Sequence, residues 1–212
     1  MKVVVTRPRG QEEELARGLE ELGHEVILCP LVEVEPLGDS PVDVSGYDWV
    51  IVTSVNGASE LRRRMTGIPQ RVAAIGPATA EAFGGADLIP GVSTQEGLLA
   101  ELPRPAGKVL FAAAEGARTL LADELDATFV PLYRTRGLEP AEQPEGDLVV
   151  LASASAARAF GALGLALPAV SIGPQTTTAA QSAGVRVVAE AQTHDVAGLV
   201  AAVTSRACSS AS

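Results

Sequence analysis

Loops rich in serine, threonine and glycine are the parts of this sequence whose residue types could bind a ligand. They follow most apolar runs of the chain, at residues 6–10, 53–57, 76–79, 114–118, 153–155 and 173–177. A single hydroxyl residue in such a loop is first of all a helix N-cap or a turn residue. Their number favours a further role, because hydroxyls and free backbone N–H groups at the carboxyl edge of parallel sheets bind anions. The pattern predicts a large anion receptor made of neutral donors.

Residues that could bind a catalytic metal, form a nucleophilic triad or bind a nucleotide are scarce. His24 and His194 are the only histidines, and neither lies at a metal-ligand spacing. Cys29 and Cys208 are the only cysteines, and we interpret both as structural thiols. The chain has no GxGxxG sequence after a strand and no GxxxxGK[ST] sequence. Metal catalysis, a Ser–His triad and nucleotide binding are therefore poorly supported.

The elements that position the loops alternate between strand and helix. Val3–Val5 is a β-branched run, residues 11–22 carry leucines at helical spacing, and Val26–Val34 is a second extended run. The same alternation continues as far as Val203. Strands that alternate with short helices predict an α/β fold of parallel sheets covered by helices on both faces.

The sequence also repeats itself. KVVVTRPRGQEEELARGL at Lys2 matches KVLFAAAEGARTLLADEL at Lys108, and VIVTSVNGASEL at Val50 matches VVLASASAARAF at Val149. AAIGPAT and VSIGPQT form a further pair. Two copies of one plan account for nearly the whole chain.

This duplication is compatible with two domain layouts. The first has consecutive domains at 1–106 and 107–212. In the second, the first domain is discontinuous and comprises 1–33 and 138–212, while 37–130 forms the second domain. Two antiparallel strands, at about 31–37 and 130–138, then join the domains. Periodicity alone leaves both layouts open.

Composition and charge exclude several classes of protein. The 212 residues are 47% hydrophobic and 20% charged, which is typical of a globular protein with one sizeable core or two modest ones. The formal net charge of -10 disfavours binding to nucleic acid or to an anionic membrane surface. No apolar run reaches the length of a membrane span, and the first residues do not resemble a signal peptide. We expect a cytoplasmic protein.

Several segments, taken in order, resemble the uroporphyrinogen-III synthases of tetrapyrrole biosynthesis. They are VTRPRGQEEELARGLEELGHEVILCPLVEVEPL, DWVIVTSVNGASEL, VAAIGPATAEAF, STQEGLLAEL, the strand with Pro131-Leu132-Tyr133, and SIGPQTTTAAQSAGV. The resemblance extends from Lys2 to Val203. It implies two similar parallel-sheet α/β domains joined by a two-stranded antiparallel ladder, with a cleft between them. It thereby selects the discontinuous layout, and it implies that no cofactor is needed.

The resemblance also implies the reaction. A uroporphyrinogen-III synthase is a lyase that cyclises hydroxymethylbilane, a linear tetrapyrrole polyacid, to uroporphyrinogen III with inversion of ring D. Without an enzyme the same substrate closes to the uninverted isomer I. The task is therefore chiefly conformational, because the enzyme must decide which carbon of ring D reaches the electrophile. The implied partners are hydroxymethylbilane and, transiently, hydroxymethylbilane synthase, without nucleic acid or membrane.

The site residues follow from the family pattern. Tyr133 matches the tyrosine after the Pro-Leu pair on the second crossing strand, and it is the candidate catalytic residue. This chain departs from the pattern in lacking prolines in Ser54-Val55-Asn56 and Ser153-Ala154-Ser155. The candidate substrate-binding residues are Thr6, Arg7, Ser54, Asn56, Gly76, Thr79, Arg118, Arg134, Ser153, Ser155, Gly173, Gln175 and Thr176.

Two other functions remain open at this point. One is a non-catalytic module of the same bilobed fold that binds a tetrapyrrole or another small molecule. The other is a binding protein for a sugar phosphate or an amino acid with a similar two-lobed α/β plan. Turnover of hydroxymethylbilane to isomer III distinguishes the enzyme from both.

Overall fold

The computed structural model describes residues 1–210, with side chains as far as Arg206, and it divides into two compact units. Unit 1 comprises Met1–Glu33 and the chain from Arg136 onward, and unit 2 comprises Val34–Thr135. The chain thus leaves unit 1 after Glu33 and returns at Arg136. The thiol of Cys208 lies outside the described side chains.

Short strands and helices follow one another along the chain, as the sequence predicts. In order they are β1 (Lys2–Val5), α1 (Glu13–Glu20), β2 (Glu25–Leu28), β3 (Val32–Pro36), β4 (Val42–Asp43), β5 (Trp49–Val52), α2 (Val55–Arg64), β6 (Met65–Thr66), β7 (Val72–Ala74), α3 (Pro77–Phe83), α4 (Gln95–Glu101), β8 (Val109–Ala114), α5 (Leu120–Leu125), β9 (Thr128–Gly137), β10 (Leu148–Leu151), α6 (Ala154–Ala162), β11 (Ala169–Ser171), α7 (Pro174–Ser182), β12 (Val187–Glu190) and α8 (Val196–Ser210). Strands β2 to β5 come in succession where the chain passes from unit 1 to unit 2. Among the described residues, no helix is both long enough and apolar enough to cross a bilayer.

Unit 1 is built on a five-stranded sheet in the order β12-β11-β10-β1-β2. All neighbouring pairs of this sheet are parallel. Successive side chains of a strand point to opposite faces. Val3 and Val5 accordingly pack with Leu15 and Leu199 of α1 and α8 on one face, and the side chain of Val4 packs on the other. Helices on both faces explain why Val3, Val4 and Val5 are all apolar rather than alternating with polar residues.

The second five-stranded sheet has the order β3-β9-β8-β5-β7. β9, β8, β5 and β7 are parallel to one another. Its two cores again lie on opposite faces: Val50 and Val52 pack in one, and Ile51 and Phe111 in the other. The predicted α/β class with parallel sheets is confirmed.

The duplication in the sequence is visible in the strand order. β2, β1, β10 and β11 of the first sheet correspond to β9, β8, β5 and β7 of the second, in the same order. An isolated parallel bridge between Ala73 and Leu88 occupies the place that β12 has in the first sheet. The two sheets are therefore copies of one topology.

The extended run Val26–Val34 contains most of β2 and the first residues of β3, and these two strands have different partners. β2 pairs with β1, whereas β3 pairs with β9. Pro30 lies between them, and a proline has no N–H to continue the hydrogen-bonded ladder of a sheet. The chain therefore leaves the first sheet at this point and joins the second.

β3 and β9 run antiparallel. The N–H of Leu37 donates to the carbonyl of Leu132, and the N–H of Leu138 donates to the carbonyl of Leu31, so residue numbers rise along one strand as they fall along the other. Two exposed ion pairs follow the same register, Glu35 with Arg134 and Glu33 with Arg136.

Candidate active site

The strand order of each sheet indicates where a ligand would bind. In unit 1, the chain continues from β1 to β2 on one side, and the later strands β10, β11 and β12 lie on the other. Neighbouring strands whose connections leave in opposite directions form a switch point, and open α/β sheets bind ligands at its carboxyl edge. The switch point of unit 1 lies between β1 and β10. That of unit 2 lies between β5 and β8.

Tyr133 contacts the loop after β5. Its side chain is 6% exposed, and its hydroxyl lies 2.9 Å from the hydroxyl of Ser54. Ser54 is the N-cap of α2 and accepts a hydrogen bond of 3.0 Å from the N–H of Gly57. Burial raises the pKa of Tyr133, and the hydrogen bond to Ser54 opposes this in part. The phenol therefore stays protonated at neutral pH and can donate a hydrogen bond.

Gly57 makes this contact possible. An ideal Cβ at this position would lie 3.0 Å from Ser54 Oγ and 3.7 Å from Tyr133 Cε1. Glycine within a helix costs about 1 kcal/mol relative to alanine. Here the absence of a side chain leaves room for the hydroxyl and for the edge of the ring.

Ser153 repeats the arrangement of Ser54 in unit 1. It is the N-cap of α6 and accepts a hydrogen bond of 3.1 Å from the N–H of Ala156. The hydroxyl of Ser155 lies 3.1 Å from that of Ser153. Both copies therefore present a serine hydroxyl at the start of a helix beside the switch point.

The Gly-Pro loops form a second repeated feature. Gly76 and Gly173 are the N-caps of α3 and α7, and each precedes a proline in the first turn. A Cβ on Gly76 would lie 3.1 Å from Ser93 Oγ, and a Cβ on Gly173 would lie 3.0 Å from His194 Nε2. The glycines are thus needed for close approach.

The threonines of these loops differ from the neighbouring residues in exposure. Thr79 and Thr176 are 5% and 4% exposed, whereas Gln175 is exposed and Asn56 is half-buried. Among these side chains, Gln175 is the one most accessible to a ligand.

Thr6 and Arg7 follow β1. Thr6 is fully buried, and its hydroxyl donates to the carbonyl of Val150 on β10 over 2.9 Å. Its hydroxyl thus serves to join β1 to β10. Burial lowers the pKa of Arg7, while the charges of Glu14 and Glu12 act in the opposite direction.

Arg118 and Arg134 both pair with carboxylates. Arg118 donates two hydrogen bonds to Glu96, of 2.7 and 3.0 Å, and Arg134 donates two to Glu35, of 2.9 and 3.0 Å. The Arg118 guanidinium lowers the pKa of Glu96 to about 2. Any other carboxylate that binds Arg118 would have to compete with Glu96.

The chain was compared with known proteins. A family model described as uroporphyrinogen-III synthase HemD matches residues 13–201. The chain belongs to the uroporphyrinogen-III synthase family. The uroporphyrinogen-III synthase of Synechococcus elongatus is 27% identical to it over 95% of this chain and 93% of the relative.

Solved structures support the same family fold. Two crystal structures of the uroporphyrinogen III synthase of Thermus thermophilus match with TM-scores of 0.65 and 0.52 at 17% identity. The first match covers 99% of both chains and the second covers 100% of both. The resemblance stated from the sequence is confirmed, and so is the α/β fold.

The structure also shows polar groups that the sequence analysis overlooked. The hydroxyls of Ser171 and Thr177 lie 2.6 Å apart, and Thr177 donates to the carboxylate of Glu190. The matching positions of the other copy are Ala74 and Ala80, so a position-by-position comparison of the repeats would have found this pair. His194, whose counterpart in the repeat is Ser93, was considered only as a metal ligand and not as a residue beside Gly173.

Metal-ligating residues do not cluster in the described part of the chain. No group of three or more His, Cys, Asp or Glu residues there could hold a metal ion. Cys29 is buried and unpaired, and burial raises the pKa of its thiol. These properties agree with a structural thiol.

Proposed function

We propose that this member of the uroporphyrinogen-III synthase family cyclises hydroxymethylbilane to uroporphyrinogen III, with inversion of ring D. The reaction loses water, and closure with inversion of ring D forms two carbon–carbon bonds and breaks one, so it needs no oxidant and no group donor. Besides family membership, the proposal rests on one observation, the contact between the hydroxyls of Tyr133 and Ser54 at the carboxyl edge of the sheet. We propose a cofactor-independent lyase.

Tyr133 would act as the proton donor to the leaving hydroxyl group. Ser54 Oγ accepts from the N–H of Gly57, and its own proton can then point to the phenol oxygen of Tyr133. The Tyr133 proton is then available to the substrate. The bond between the hydroxymethyl carbon and oxygen breaks, the electron pair leaves with the oxygen as water, and the pyrrole nitrogen supplies the replacement electrons. Ring D loses one proton when the macrocycle closes, and this proton restores the phenol of Tyr133.

Loss of the hydroxyl group leaves an electrophilic azafulvene at the end of the linear tetrapyrrole, and the enzyme must then hold this intermediate in one conformation. We propose that the start of α2 in unit 2 and the starts of α6 and α7 in unit 1 each bind substrate carboxylates, through backbone N–H groups and, in unit 1, also through Ser153 and Gln175. Backbone donors suit an acidic protein, because they attract carboxylates at close range without a surplus of lysine or arginine. Binding of several acid arms would fix ring D so that its substituted carbon, rather than its free carbon, attacks.

We further propose that units 1 and 2 are the two domains that the family resemblance implies. Their limits, between Glu33 and Val34 and between Thr135 and Arg136, fall within β3 and β9. Transfer of the substrate from hydroxymethylbilane synthase and a cytoplasmic location stay predictions of the sequence analysis.

The test is the ratio of isomers formed from hydroxymethylbilane. The substrate is added to the purified protein, the reaction is stopped and oxidised, and uroporphyrins III and I are separated and quantified. We expect isomer III in excess over isomer I, at a rate proportional to protein concentration. Formation of isomer I alone, at the rate without protein, would reject the proposal. Tight binding of uroporphyrinogen III in that case would identify a binding module.

A further inference from the structure

A small cavity of about 240 Å³ lies within unit 1, where β1 and β2 end. It is lined by Val5, Arg7, Arg9, Glu12, Leu28 and Pro30. Pockets for drug-sized ligands are larger, at roughly 300–1,000 Å³. The cavity therefore suits a single ring with its substituents rather than a whole tetrapyrrole. It lies beside the loop that follows β1, on the side of β1 where β2 pairs.

The cavity contains a carboxylate oxygen that lacks a donor. Glu12 precedes α1, but its side chain makes no capping hydrogen bond to the helix. Within the described part of the chain, Glu12 Oε2 is buried and has no hydrogen-bond partner. A buried carboxylate oxygen is costly unless a hydrogen bond compensates for its desolvation. Its position on the cavity wall points to a donor supplied by a ligand.

The charges around the cavity are mixed. Arg7 and Arg9 contribute two guanidinium groups, and Arg7 interacts with the carboxylates of Glu12 and Glu14. Arg7 is partly buried and Arg9 is exposed. The opposing charges disfavour a simple anion and favour a ligand that offers both a carboxylate and an N–H group. Leu28 and Pro30 add apolar surface for a ring.

The fold itself does not require these polar residues. In the second copy of the repeat, the positions of Arg7 and Arg9 are taken by Ala113 and Glu115, and that of Glu12 by an arginine. Both copies nevertheless form sheets with the same strand order. The combination of two arginines and one glutamate is therefore particular to unit 1, which favours a role in binding over a role in folding.

We propose that this cavity is a subsite for one acidic pyrrole ring of the substrate. Arg7 and Arg9 bind a carboxylate arm of the ring, and Glu12 accepts a hydrogen bond from the ring N–H. The assignment rests on the proposed function, which supplies a ligand with both groups. Anchoring one ring restricts the motion of the flexible chain and so favours a single mode of closure.

The test uses monopyrroles as probes, with binding to the whole protein measured by calorimetry. The first probe is a pyrrole that carries one acetate and one propionate arm. The second is its N-methyl derivative, which lacks the N–H, and the third is its dimethyl ester, which lacks the charges. Glutarate serves as an acid without a ring.

The variants are Arg9→Gln and Glu12→Ala, because the exposed Arg9 and the half-buried Glu12 can change without loss of a core side chain. Their matched controls are Arg17→Gln and Glu13→Ala, which make the same changes at exposed positions of α1 outside the cavity. Thermal unfolding of each variant checks that it is folded.

For the wild type we expect N-methylation to weaken binding about ten-fold, as for loss of a hydrogen bond to a charged group. Glu12→Ala should bind the N–H and N-methyl probes equally, whereas Glu13→Ala should still discriminate between them. Arg9→Gln should weaken binding of the diacid about five-fold, as expected for an exposed charge, and leave binding of the ester unchanged. With hydroxymethylbilane, Arg9→Gln should raise KM at nearly constant kcat.

Equal binding of the N–H and N-methyl probes by the wild type would overturn the inference. Binding of glutarate as tight as that of the diacid pyrrole would do the same, because no ring would then be recognised. Both results leave the isomer assay untouched. Conversely, a protein that discriminates between the probes but forms only isomer I would retain the subsite and lose the proposed function.

Discussion

Replacement of Tyr133 by phenylalanine tests the proposed chemistry most directly. The substitution removes only the phenol oxygen, so the buried ring still fills its place and no cavity forms. Ser54 loses the contact of 2.9 Å but keeps the hydrogen bond from Gly57. We therefore expect the free energy of unfolding to fall by about 1 kcal/mol, the usual net value of one hydrogen bond.

The effect on the rate should be moderate. A positioned general acid contributes roughly 10²- to 10⁴-fold in many enzymes. Here the pyrrole nitrogen already drives departure of the hydroxyl group, and water can protonate it. We expect the rate of isomer III formation to fall about ten-fold, or ~1.4 kcal/mol in activation free energy. The fraction of isomer I should rise, since uncatalysed closure then competes.

The assay compares initial rates and isomer ratios for the wild type and for Tyr133→Phe. Tyr47→Phe is the matched control, because it removes the other phenol of the chain from a ring that lies 4.5 Å from Lys108 Nζ. We expect the control to keep the wild-type rate. Formation of isomer III by Tyr133→Phe at the wild-type rate would remove Tyr133 from the mechanism.

The same variant has a signature in the pH dependence of stability. Burial raises the pKa of Tyr133 in the folded state above the ordinary value of about 10. Its contribution to the free energy of unfolding is therefore fully present below pH of about 10 and is lost as pH rises through the folded pKa. The free energy of unfolding of the wild type, measured with denaturant, should fall over this pH range more steeply than that of Tyr133→Phe. Identical curves would contradict the assignment.

Three further substitutions test the surroundings of the site. Gly57→Ala places a Cβ 3.0 Å from Ser54 Oγ, so isomer III formation should slow several-fold although alanine favours the helix; an unchanged rate would show that this hydroxyl tolerates displacement. Glu96→Gln breaks the ion pair of Arg118, so KM for hydroxymethylbilane should fall at low salt and return toward the wild-type value in about 1 M salt. A constant KM would show that Arg118 does not bind the substrate. Thr6→Val removes a buried hydrogen bond, so denaturant unfolding should show a loss of about 1 kcal/mol with KM unchanged; a raised KM would instead show contact with substrate.

Most of the architecture could be predicted from the sequence, because apolar periodicity and the repeat both report directly on the sheets. Two features of the sheets could not be predicted in this way. Val26–Val34 is one extended run in the sequence, and Pro30 interrupts it without showing which strands the segments on either side will pair with. The two-residue strands β4 and β6 were not predicted, because so short a segment shows no alternation of apolar and polar residues.

The site was harder to predict. That Ser54 and Ser153 cap helices follows from their place after apolar runs, and the structure confirms both caps. The pairing of Arg134 with Glu35, however, joins residues 99 positions apart, and no local pattern specifies it. The burial of the Thr6 hydroxyl depends in the same way on a strand from the distant half of the chain.

Unit 1 is assembled from both ends of the chain, and this affects its synthesis on the ribosome. β1 lies between β2 and β10, and the hydrogen bond from Thr6 to Val150 spans 144 residues. At a synthesis rate of about 5–20 residues per second, β10 is made on the order of ten seconds after β1. During that time β1 lacks one of its two neighbouring strands. The backbone groups of such an unpaired edge readily pair with strands of other chains. Unit 2, by contrast, is complete once Thr135 has emerged. Unit 2 can therefore fold before the second segment of unit 1 has been synthesised.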